Sequence, residues 1–323
     1  MANVLILTEV QEAMRARYKA MLLERFPQLT IDVVGHHNDV DPYIADTDVL
    51  LCFSPPMADH VVRDAKKLKW IQALGTGTDN IVDLPSLGPE VVVTNIRGIH
   101  GAPMSEATIA YMLSLARDIP RTVHAQDRGE WERWPAQLLA GKTVGLLGVG
   151  LISEHLAPIL KALGMMVVGI SSGVRPLNGF DRMVKRDDLL NAVGELDFLV
   201  VMTPLTPETR NIVDGRLLAA MKPTAYVLNM ARGGVVDEDA LVKALDAGDI
   251  AGAALDVYMQ EPLPATSPLW KVKNLTVFPH LGGYSEGYED RAMPTIERNM
   301  RCFLNGDLKS MINIVRKPKS WGA

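Results

Sequence analysis

Short apolar runs alternate with amphipathic stretches along almost the whole chain. Near the amino terminus, such runs are bounded by polar or turn residues, as strands are: Val4–Leu7, Val49–Cys52, Trp70–Ala73 and Val91–Thr94. Helix-like segments lie between them, for example Glu12–Phe26 and Met57–Leu68. Strands that alternate with helices indicate βαβ units, in which helices cover both faces of a parallel sheet.

A second and clearer series of alternating apolar runs and amphipathic stretches begins at Lys142. Buried strands are predicted in succession at Val144–Leu147, Met166–Ile170, Phe198–Met202, Ala225–Asn229, Gly252–Asp256 and Leu275–Phe278. Between the two series lies a helical candidate, Pro103–Ile119, in which apolar residues recur at the helical period. A polar segment with tryptophans, Pro120–Gly141, follows it.

A chain of 323 residues is long enough for two domains of about 150 residues each. The two series of strands predict a first domain from residues 1–100 and 288–323, to which the helix Arg291–Leu304 and the tail return. The second domain is predicted to cover residues 101–287.

Composition narrows the classes of function. The chain is 48% hydrophobic and 22% charged, as soluble globular proteins are, and its net charge of −5 is spread along the sequence. A nucleic-acid surface would show clustered Lys and Arg, so none is expected. Cys52 and Cys302 lack metal-site spacing, and no metal site is expected. The sequence shows neither a signal-peptide pattern nor a membrane-length apolar run, which predicts a cytoplasmic protein without a membrane partner.

A glycine-rich turn follows the first strand of the second series. In Gly145-Leu-Leu-Gly148-Val-Gly150-Leu-Ile-Ser153, a predicted strand leads into a predicted helix, which is the setting of a dinucleotide-binding turn. Glycines let the backbone approach a pyrophosphate, whose charge the helix amino terminus favours. Ser153 stands where the motif has its third glycine, which weakens the match. The residues assigned to the dinucleotide here are Gly148, Gly150, Leu151 and Ile152.

The end of the next predicted strand bears on which dinucleotide is bound. A site for NAD usually supplies an Asp or Glu about 20 residues after the turn, to hold the ribose 2′-hydroxyl. This chain has Ser171-Ser-Gly-Val-Arg175 there instead. Ser171 and Ser172 can donate to a 2′-phosphate and Arg175 can pair with it, so NADP is expected to be preferred over NAD. The alternative is an ordinary polar loop with a solvated arginine.

An arginine ends another predicted buried strand, in Val227-Leu-Asn-Met-Ala-Arg232-Gly-Gly-Val-Val-Asp237-Glu238. A guanidinium at such a position is costly unless it meets an anion. A 2-keto acid offers a carboxylate and a keto oxygen, and the planar fork of an arginine can engage both. The alternative is an arginine paired to Asp237 or Glu238.

Two further polar segments follow predicted strands, Asp256-Val-Tyr-Met-Gln-Glu261-Pro-Leu-Pro and Pro279-His280-Leu-Gly-Gly-Tyr284. Because the carboxyl ends of parallel strands share one edge of a sheet, these residues should collect near the glycine turn. The chain has seven histidines, and His280 differs from the others because it follows an apolar strand and precedes two glycines. Such a bend has room for a ligand.

Together these segments resemble the D-isomer-specific 2-hydroxyacid dehydrogenases. The most specific parts are Asn-x-Ala-Arg-Gly-Gly-x-Val-Asp around Arg232 and Asp-Val-x-x-x-Glu-Pro-Leu-Pro around Glu261. The resemblance extends over nearly the whole chain, including Leu74-Gly-Thr-Gly-Thr-Asp-Asn80 and Thr203-Pro-Leu-Thr-Pro-Glu-Thr209. It implies a fold of two Rossmann-like or flavodoxin-like parallel-sheet α/β domains, with the active site in the cleft between them.

The resemblance also implies roles for the matching residues. Arg232 would bind the substrate carboxylate and keto oxygen, and His280 would be the acid–base. Glu261 would hydrogen-bond His280 and keep the imidazolium charged for reduction, because an adjacent carboxylate favours the charged ring. The residues expected to hold the substrate carboxylate from the other domain are Gly75, Thr76 and Gly77. The remaining cofactor residues are Met104, Thr203, Pro204 and Asp256, the last of which would hold the nicotinamide carboxamide.

These expectations describe an oxidoreductase that transfers a hydride between NAD(P)H and a small 2-keto acid, similar to the subgroup that reduces glyoxylate and hydroxypyruvate. A non-enzymatic dinucleotide-sensing regulator of the same fold is an alternative, since it can keep the same residues. A formate dehydrogenase is disfavoured because such relatives carry Gln where Glu261 stands. Family members are usually dimers, and Arg121–Ala140, with its two tryptophans, is expected to form part of a homodimer interface; the alternative is an ordinary surface connection.

Overall fold

The computed structural model describes residues 2–53 and 57–321. They form two compact units, one of Met1–Ile99 with Glu286–Ala323 and one of His100–Ser285. The sequence predicts the corresponding junctions at 100/101 and 287/288. Assignment of one unit to substrate and the other to cofactor remains a proposal.

The secondary structure of the described residues follows the alternation of strands and helices. In chain order the strands are β1 (Asn3–Leu7), β2 (Thr30–Val34), β3 (Val49–Cys52), β4 (Trp70–Ala73), β5 (Val92–Thr94), β6 (Thr143–Leu147), β7 (Met166–Ser171), β8 (Arg182–Lys185), β9 (Phe198–Val201), β10 (Tyr226–Asn229), β11 (Gly252–Leu255), β12 (Leu275–Val277) and β13 (Ile314–Arg316). The α-helices are α1 (Glu12–Arg25), α2 (Asp41–Ile44), α3 (Asp59–Asp64), α4 (Gly101–Arg117), α5 (Ile119–Arg128), α6 (Leu151–Ala162), α7 (Leu189–Ala192), α8 (Gly215–Ala219), α9 (Glu238–Ala247) and α10 (Tyr288–Leu304). None of these helices is both long and apolar enough to cross a bilayer.

The sheet of the first unit has six strands in the order β13-β5-β4-β3-β1-β2. Its parallel part has the strand order 2-1-3-4-5, which is the flavodoxin-like doubly wound order, and β13 adds an antiparallel edge. Two clusters of apolar side chains, containing for example Leu51 and Ile71, cover the sheet. Burial on both faces explains why its inner strands are continuous apolar runs rather than alternating ones.

The sheet of the second unit has seven strands in the order β12-β11-β10-β9-β6-β7-β8, all of them parallel. Numbered from β6, its first six strands have the Rossmann order 3-2-1-4-5-6. The chain direction across the sheet reverses between the neighbours β6 and β9, and ligands of open α/β sheets bind outside the carboxyl ends of the strands at such a reversal. The prediction of two parallel-sheet α/β domains is confirmed.

The hydrophobic pattern missed β2, β8, β13 and α5. The three strands lie at sheet edges, where half-exposed residues interrupt an apolar run. The helix α5 lies in the segment that the sequence shows only as polar. Asp118 adopts a left-handed conformation that ends α4, and its side chain accepts the N–H of Arg121 to cap α5. Gly129, also left-handed, ends α5.

Candidate active site

The glycine turn lies at the reversal point of the second sheet. Gly148 follows β6, has a φ of +102°, and donates its N–H to Ile170 at 2.8 Å. A Cβ at this position would lie 2.5 Å from the backbone nitrogen of Thr203. Only glycine fits because both the left-handed backbone and the close approach exclude a side chain. The turn therefore brings the end of β6 against the loop that follows β9.

The first turn of α6 provides space and donors for an anion. A Cβ added to Gly150 would meet no atom within 4 Å, and no side chain caps the helix, which begins at Leu151. Leu151 is exposed, and Ile152 packs against the core. Unpaired N–H groups and the helix dipole at this position favour a phosphate. The residues present thus fit the pyrophosphate of a dinucleotide.

Ser153 stabilises the glycine turn, although it departs from the glycine motif. Its side chain is 1% exposed, and its hydroxyl donates to the carbonyl of Gly148 at 2.6 Å. Serine at this position is small enough for α6 to pack on the sheet, and it adds a hydrogen bond that glycine cannot make. The departure from the glycine motif is therefore compatible with the turn.

The loop after β9 is held by its own side chains. Thr203 is buried, and the carbonyl of Pro204 accepts the hydroxyl of Thr209 at 2.6 Å. The same hydroxyl oxygen accepts the N–H of Thr206 at 2.8 Å. These bonds fix the loop next to the glycine turn.

The loop after β7 lines a pocket of about 300 Å³ with Ser171, Ser172 and Arg175. The hydroxyl of Ser171 donates to the carbonyl of Gly173, so its proton already has an acceptor. Arg175 Nη2 lies 2.7 Å from Glu154 Oε1, and the two side chains are 66% and 34% exposed. Glu154, in the first turn of α6, has no place in the sequence motif, so sequence reasoning missed this contact.

Arg232 lies in a tight loop after β10. Asn229 accepts the N–H of Ala231 at 3.1 Å and donates its side-chain amide to the carbonyl of Arg232 at 2.9 Å. A Cβ on Gly233 would collide with the backbone of Tyr258. The absence of a side chain at Gly233 thus packs the loop after β10 directly onto the loop after β11.

The two carboxylates that the sequence offers as partners of Arg232 both accept backbone N–H groups. Asp237 caps α9 by accepting the N–H of Ala240 at 3.0 Å. Glu238 accepts the N–H of Met259 at 2.6 Å, which ties α9 to the loop after β11. Burial raises the pKa of Glu238, and the nearby acidic groups act in the same direction.

Glu261 and His280 form a close side-chain pair. His280 Nδ1 lies 2.6 Å from Glu261 Oε2, while Glu261 Oε1 accepts the N–H of Tyr258 at 2.9 Å. Burial opposes ionisation of Glu261, but the hydrogen bond and charge of His280, the Tyr258 N–H and the charge of Arg232 outweigh it and lower the pKa of the carboxyl. The carboxylate is therefore ionised near neutral pH, and Arg232 lies close enough to contribute.

Asp256 is a buried carboxylate with three donors. It is 1% exposed and accepts the hydroxyl of Tyr111 at 3.0 Å and the N–H groups of Leu281 and Gly282 at 2.8 and 2.9 Å. Met104 lies beside the same bend, since a Cβ on Gly282 would approach its sulfur to 3.2 Å. The carboxylate thus holds the loop that carries the histidine.

The predicted substrate segment Gly75–Gly77 belongs to the first unit, after β4. The carbonyl of Thr76 accepts the side-chain amide of Asn95 at 2.7 Å, and the carbonyl of Gly75 accepts the N–H of Ile96 at 3.3 Å. The loop after β5 therefore supports the segment. Asn95 is itself 5% exposed.

The second unit gathers Arg232, Glu261 and His280 on the loops after β10, β11 and β12, which are neighbouring strands. Residues that the sequence did not reveal as parts of the site support these three: Asn229, Glu238, Tyr258 and Tyr111. The contacts of Asn229 and Tyr258 are local and lie within the quoted motifs, whereas those of Glu238 and Tyr111 depend on chain packing and leave no local signal. Within residues 2–53 and 57–321, no group of His, Cys, Asp and Glu side chains is arranged to hold a metal ion.

Comparison with known proteins identifies a matching family model and several similar enzymes. Residues 109–282 match the family model described as the NAD binding domain of D-isomer-specific 2-hydroxyacid dehydrogenase. The chain is 35% identical over 282 residues to a D-3-phosphoglycerate dehydrogenase of Methanocaldococcus jannaschii, a match that covers 85% of this chain and 53% of the relative. The chain thus spans about half the length of the phosphoglycerate dehydrogenases that it matches.

Two further relatives match over almost their full length. A glyoxylate reductase of Thermococcus gammatolerans is 30% identical over 314 residues, which cover 90% of this chain and 94% of the relative. A crystal structure of a D-isomer-specific 2-hydroxyacid dehydrogenase from Xanthobacter autotrophicus, in complex with NADPH and MES, superposes with a TM-score of 0.81. That structure is 31% identical and covers 99% of both chains.

Proposed function

Because the chain belongs to the family of D-isomer-specific 2-hydroxyacid dehydrogenases, we propose that it interconverts a small 2-keto acid and the D-2-hydroxy acid, with NAD(P)H as the hydride source. The observation that carries this proposal is the 2.6 Å contact between His280 and Glu261, in a loop cluster that includes Arg232. The relatives are named as enzymes, so a non-enzymatic dinucleotide sensor is not favoured.

Arg232 is the proposed anchor of the substrate. Its guanidinium carries a permanent charge and a planar set of donors, which suits the carboxylate and keto oxygen of a 2-keto acid. The packing of Gly233 on Tyr258 supports this role because it fixes the backbone of the arginine loop. Backbone N–H groups of Gly75–Gly77 are proposed to bind the same carboxylate.

His280 is the proposed acid in reduction and base in oxidation. A carboxylate at Nδ1 stabilises the imidazolium and fixes the orientation of the ring, which leaves Nε2 for proton exchange with the substrate oxygen. The lowered pKa of Glu261 supports this assignment, since only the ionised carboxyl stabilises the charged ring. A formate dehydrogenase would need no such acid–base pair.

The glycine turn and its surroundings are proposed to hold the dinucleotide. Gly148, Gly150 and the first turn of α6 would bind the pyrophosphate, with Met104, Thr203, Pro204 and Asp256 near the nicotinamide end. We propose that NADP is preferred because Ser171 brings no negative charge to the ribose pocket and Arg175 lines it. A relative crystallised with NADPH agrees with this preference.

The choice of cofactor can be tested directly. The unmodified protein should give a higher kcat/KM with NADPH than with NADH, and Ser171→Asp should lower the NADPH value by about tenfold because a carboxylate repels the 2′-phosphate. Ser171→Asn, which is similar in size to the aspartate variant but uncharged, serves as the control at the same position. A tenfold preference of the unmodified protein for NADH would contradict the proposal.

The substrate is proposed to resemble glyoxylate or hydroxypyruvate. A steady-state screen should follow NAD(P)H consumption with glyoxylate, hydroxypyruvate, pyruvate, phenylpyruvate and 3-phosphohydroxypyruvate. The phosphorylated acid is included because phosphoglycerate dehydrogenases are among the relatives. Turnover of one of the first two acids, lost in His280→Ala, is the expected result. No turnover of any of the five would contradict the proposed activity.

We also propose a cytoplasmic homodimer. Trp131 is 93% and Leu138 is 64% exposed, so the segment around them offers apolar surface that association would bury. The free thiols of Cys52 and Cys302 agree with a reducing compartment. Light scattering should give about twice the chain mass of 35.3 kDa. Trp131→Ser should lower that mass, whereas a monomer before substitution would contradict the dimer.

A further inference from the structure

A tyrosine outside the sequence motifs contacts the start of the loop that carries His280. Tyr111 lies on α4 and is 5% exposed. Its ring stacks on Phe278, with centroids 3.5 Å apart and planes 13° apart. Phe278 stands two residues before His280, so the stacked ring fixes the point where the chain leaves β12.

Through Asp256, Tyr111 also reaches the other end of this loop. Its hydroxyl donates to Asp256 Oδ1 at 3.0 Å. The same oxygen accepts the N–H of Leu281 at 2.8 Å, and Oδ2 accepts the N–H of Gly282 at 2.9 Å. Leu281 directly follows the histidine. The loop is therefore held before His280 by stacking and after it by a shared carboxylate.

His280 needs this support because its backbone is held in an uncommon conformation. Its φ is +53°, in the left-handed region, and such backbone persists where surrounding contacts impose it. The ring must also keep Nδ1 within 2.6 Å of Glu261. A small relaxation of the loop would weaken that hydrogen bond, because hydrogen bonds lose strength steeply with distance and angle.

We propose that Tyr111 is a positioning residue for the acid–base His280 and acts through Phe278 and Asp256. The inference rests on the proposed function of His280. Three donors occupy most of the acceptor capacity of the Asp256 carboxylate, which has about four lone-pair sites. Holding the histidine loop is therefore a principal task of Asp256 in this chain, with about one acceptor site left for the nicotinamide carboxamide.

The state of the Tyr111 hydroxyl suits this task. Burial, followed by the charge of Asp256, raises the pKa of Tyr111, so the phenol stays protonated and remains a donor at every working pH. A buried carboxylate is stabilised by hydrogen-bond donors, and the loss of one such donor is costly because the acceptor is charged. Removal of this hydroxyl should therefore disturb the hydrogen bonds that Asp256 accepts from Leu281 and Gly282.

The test compares Tyr111→Phe with Tyr226→Phe. Tyr226 is a matched control because it is also buried in the second unit, stacks on Phe198 and shares a hydrogen bond with Gln137. Tyr111→Phe should lower kcat for keto-acid reduction by about tenfold, the lower end of what a hydrogen bond to a charged group contributes. The KM for the keto acid should change by less than about twofold, because the variant leaves the substrate anchor intact.

Two further readouts separate positioning from general destabilisation. The alkaline limb of the kcat profile should move to lower pH in Tyr111→Phe, since a displaced imidazolium is less well held by Glu261. In protein labelled at histidine Cε1, the His280 signal can be identified among seven histidines by its loss in His280→Asn. Its titration midpoint, recorded without substrate or cofactor, should fall in Tyr111→Phe and stay unchanged in Tyr226→Phe.

Phe278→Leu provides a second variant that keeps the hydroxyl and removes the stacked ring, and it should shift the same signal. The proposal is overturned if Tyr111→Phe keeps the original kcat, pH profile and His280 titration, or if Tyr226→Phe changes them equally. Full activity of His280→Asn would instead reject the proposed function, so the two failures are distinguishable.

Discussion

Two loops at the same sheet edge of the second unit are held in very different ways. The loop around His280 is tied to Glu261 at 2.6 Å and to the buried Asp256 through two backbone N–H groups. The loop from Ser171 to Arg175 is exposed, and its arginine pairs with Glu154 across side chains that are 66% and 34% exposed. The first loop is fixed by hydrogen bonds to the buried carboxylate of Asp256 and by a His280–Glu261 pair whose side chains are 44% and 26% exposed, whereas the second depends on an exposed ion pair.

This difference follows from the strength of the interactions. A hydrogen bond to a charged group contributes about 1.5–3 kcal/mol, whereas an exposed ion pair contributes about 0.2–1 kcal/mol and is screened by salt. Proton transfer requires reacting atoms within hydrogen-bond reach, so the loop that we propose for this step must hold its geometry. The choice between dinucleotides needs only a modest difference in binding, which surface contacts can supply.

The largest effect is expected at the histidine itself. His280→Ala should lower kcat by a factor of about 10²–10⁴, because a positioned proton donor is lost. The measurement is steady-state reduction of the preferred keto acid, with thermal unfolding as a check of the fold. His36→Ala, at a histidine of the first unit whose side chain is 46% exposed, is the matched control and should keep full activity. A small loss in His280→Ala would remove the basis for calling its loop the reactive one.

The next effect concerns the anchor in the neighbouring loop. Arg232→Ala should raise KM and lower kcat together, by about 10²–10³ in kcat/KM, because both the carboxylate and the keto oxygen lose their donors. Arg232→Lys tests the fork, since lysine keeps the charge but not the paired donors, and it should recover part of the loss. Equal activity of the lysine and arginine forms would show that charge alone suffices.

Glu261 should control the pH dependence of the His280 loop. The pKa of Glu261 is lowered, so the carboxylate is present above about pH 4.5, its ordinary value, and stabilises the imidazolium over the working range. Glu261→Gln removes this charge, so the imidazolium is less well stabilised. The alkaline limb of kcat/KM for reduction should therefore move to lower pH. An unchanged limb would mean that the two residues are not coupled.

The smallest effect is expected in the exposed loop. Glu154→Gln releases Arg175 from its ion pair and removes a negative charge near the ribose pocket, so the ratio of kcat/KM for NADPH to that for NADH should rise by about two- to fivefold. Lys161→Gln breaks another ion pair of α6, with Asp181, and should leave the ratio unchanged. A change as large as that of His280→Ala would contradict the contrast between the two loops.

Prediction from the sequence worked where the signal is local. The inner strands of both sheets are mostly buried and form nearly continuous apolar runs, whereas edge strands such as Arg182–Lys185 are half exposed and carry no such run. Arg232 and His280 stood out as candidate site residues because polar residues there directly follow apolar strands, and their roles stay a prediction. Glu154 and Tyr111 did not, because one lies on a helix surface and the other looks like an ordinary apolar position of α4.

By itself the sequence determined the alternation of strands and helices and the glycine turn, and it supplied the side chains that we propose as reactive. These depend on spacing and residue type, which are properties of neighbours along the chain. Only the tertiary structure decided that Tyr111 holds Asp256 across 145 residues and that Arg175 meets Glu154 across 21. Such contacts arise when separate elements pack together, and no periodicity along the chain encodes the distance between two of its side chains.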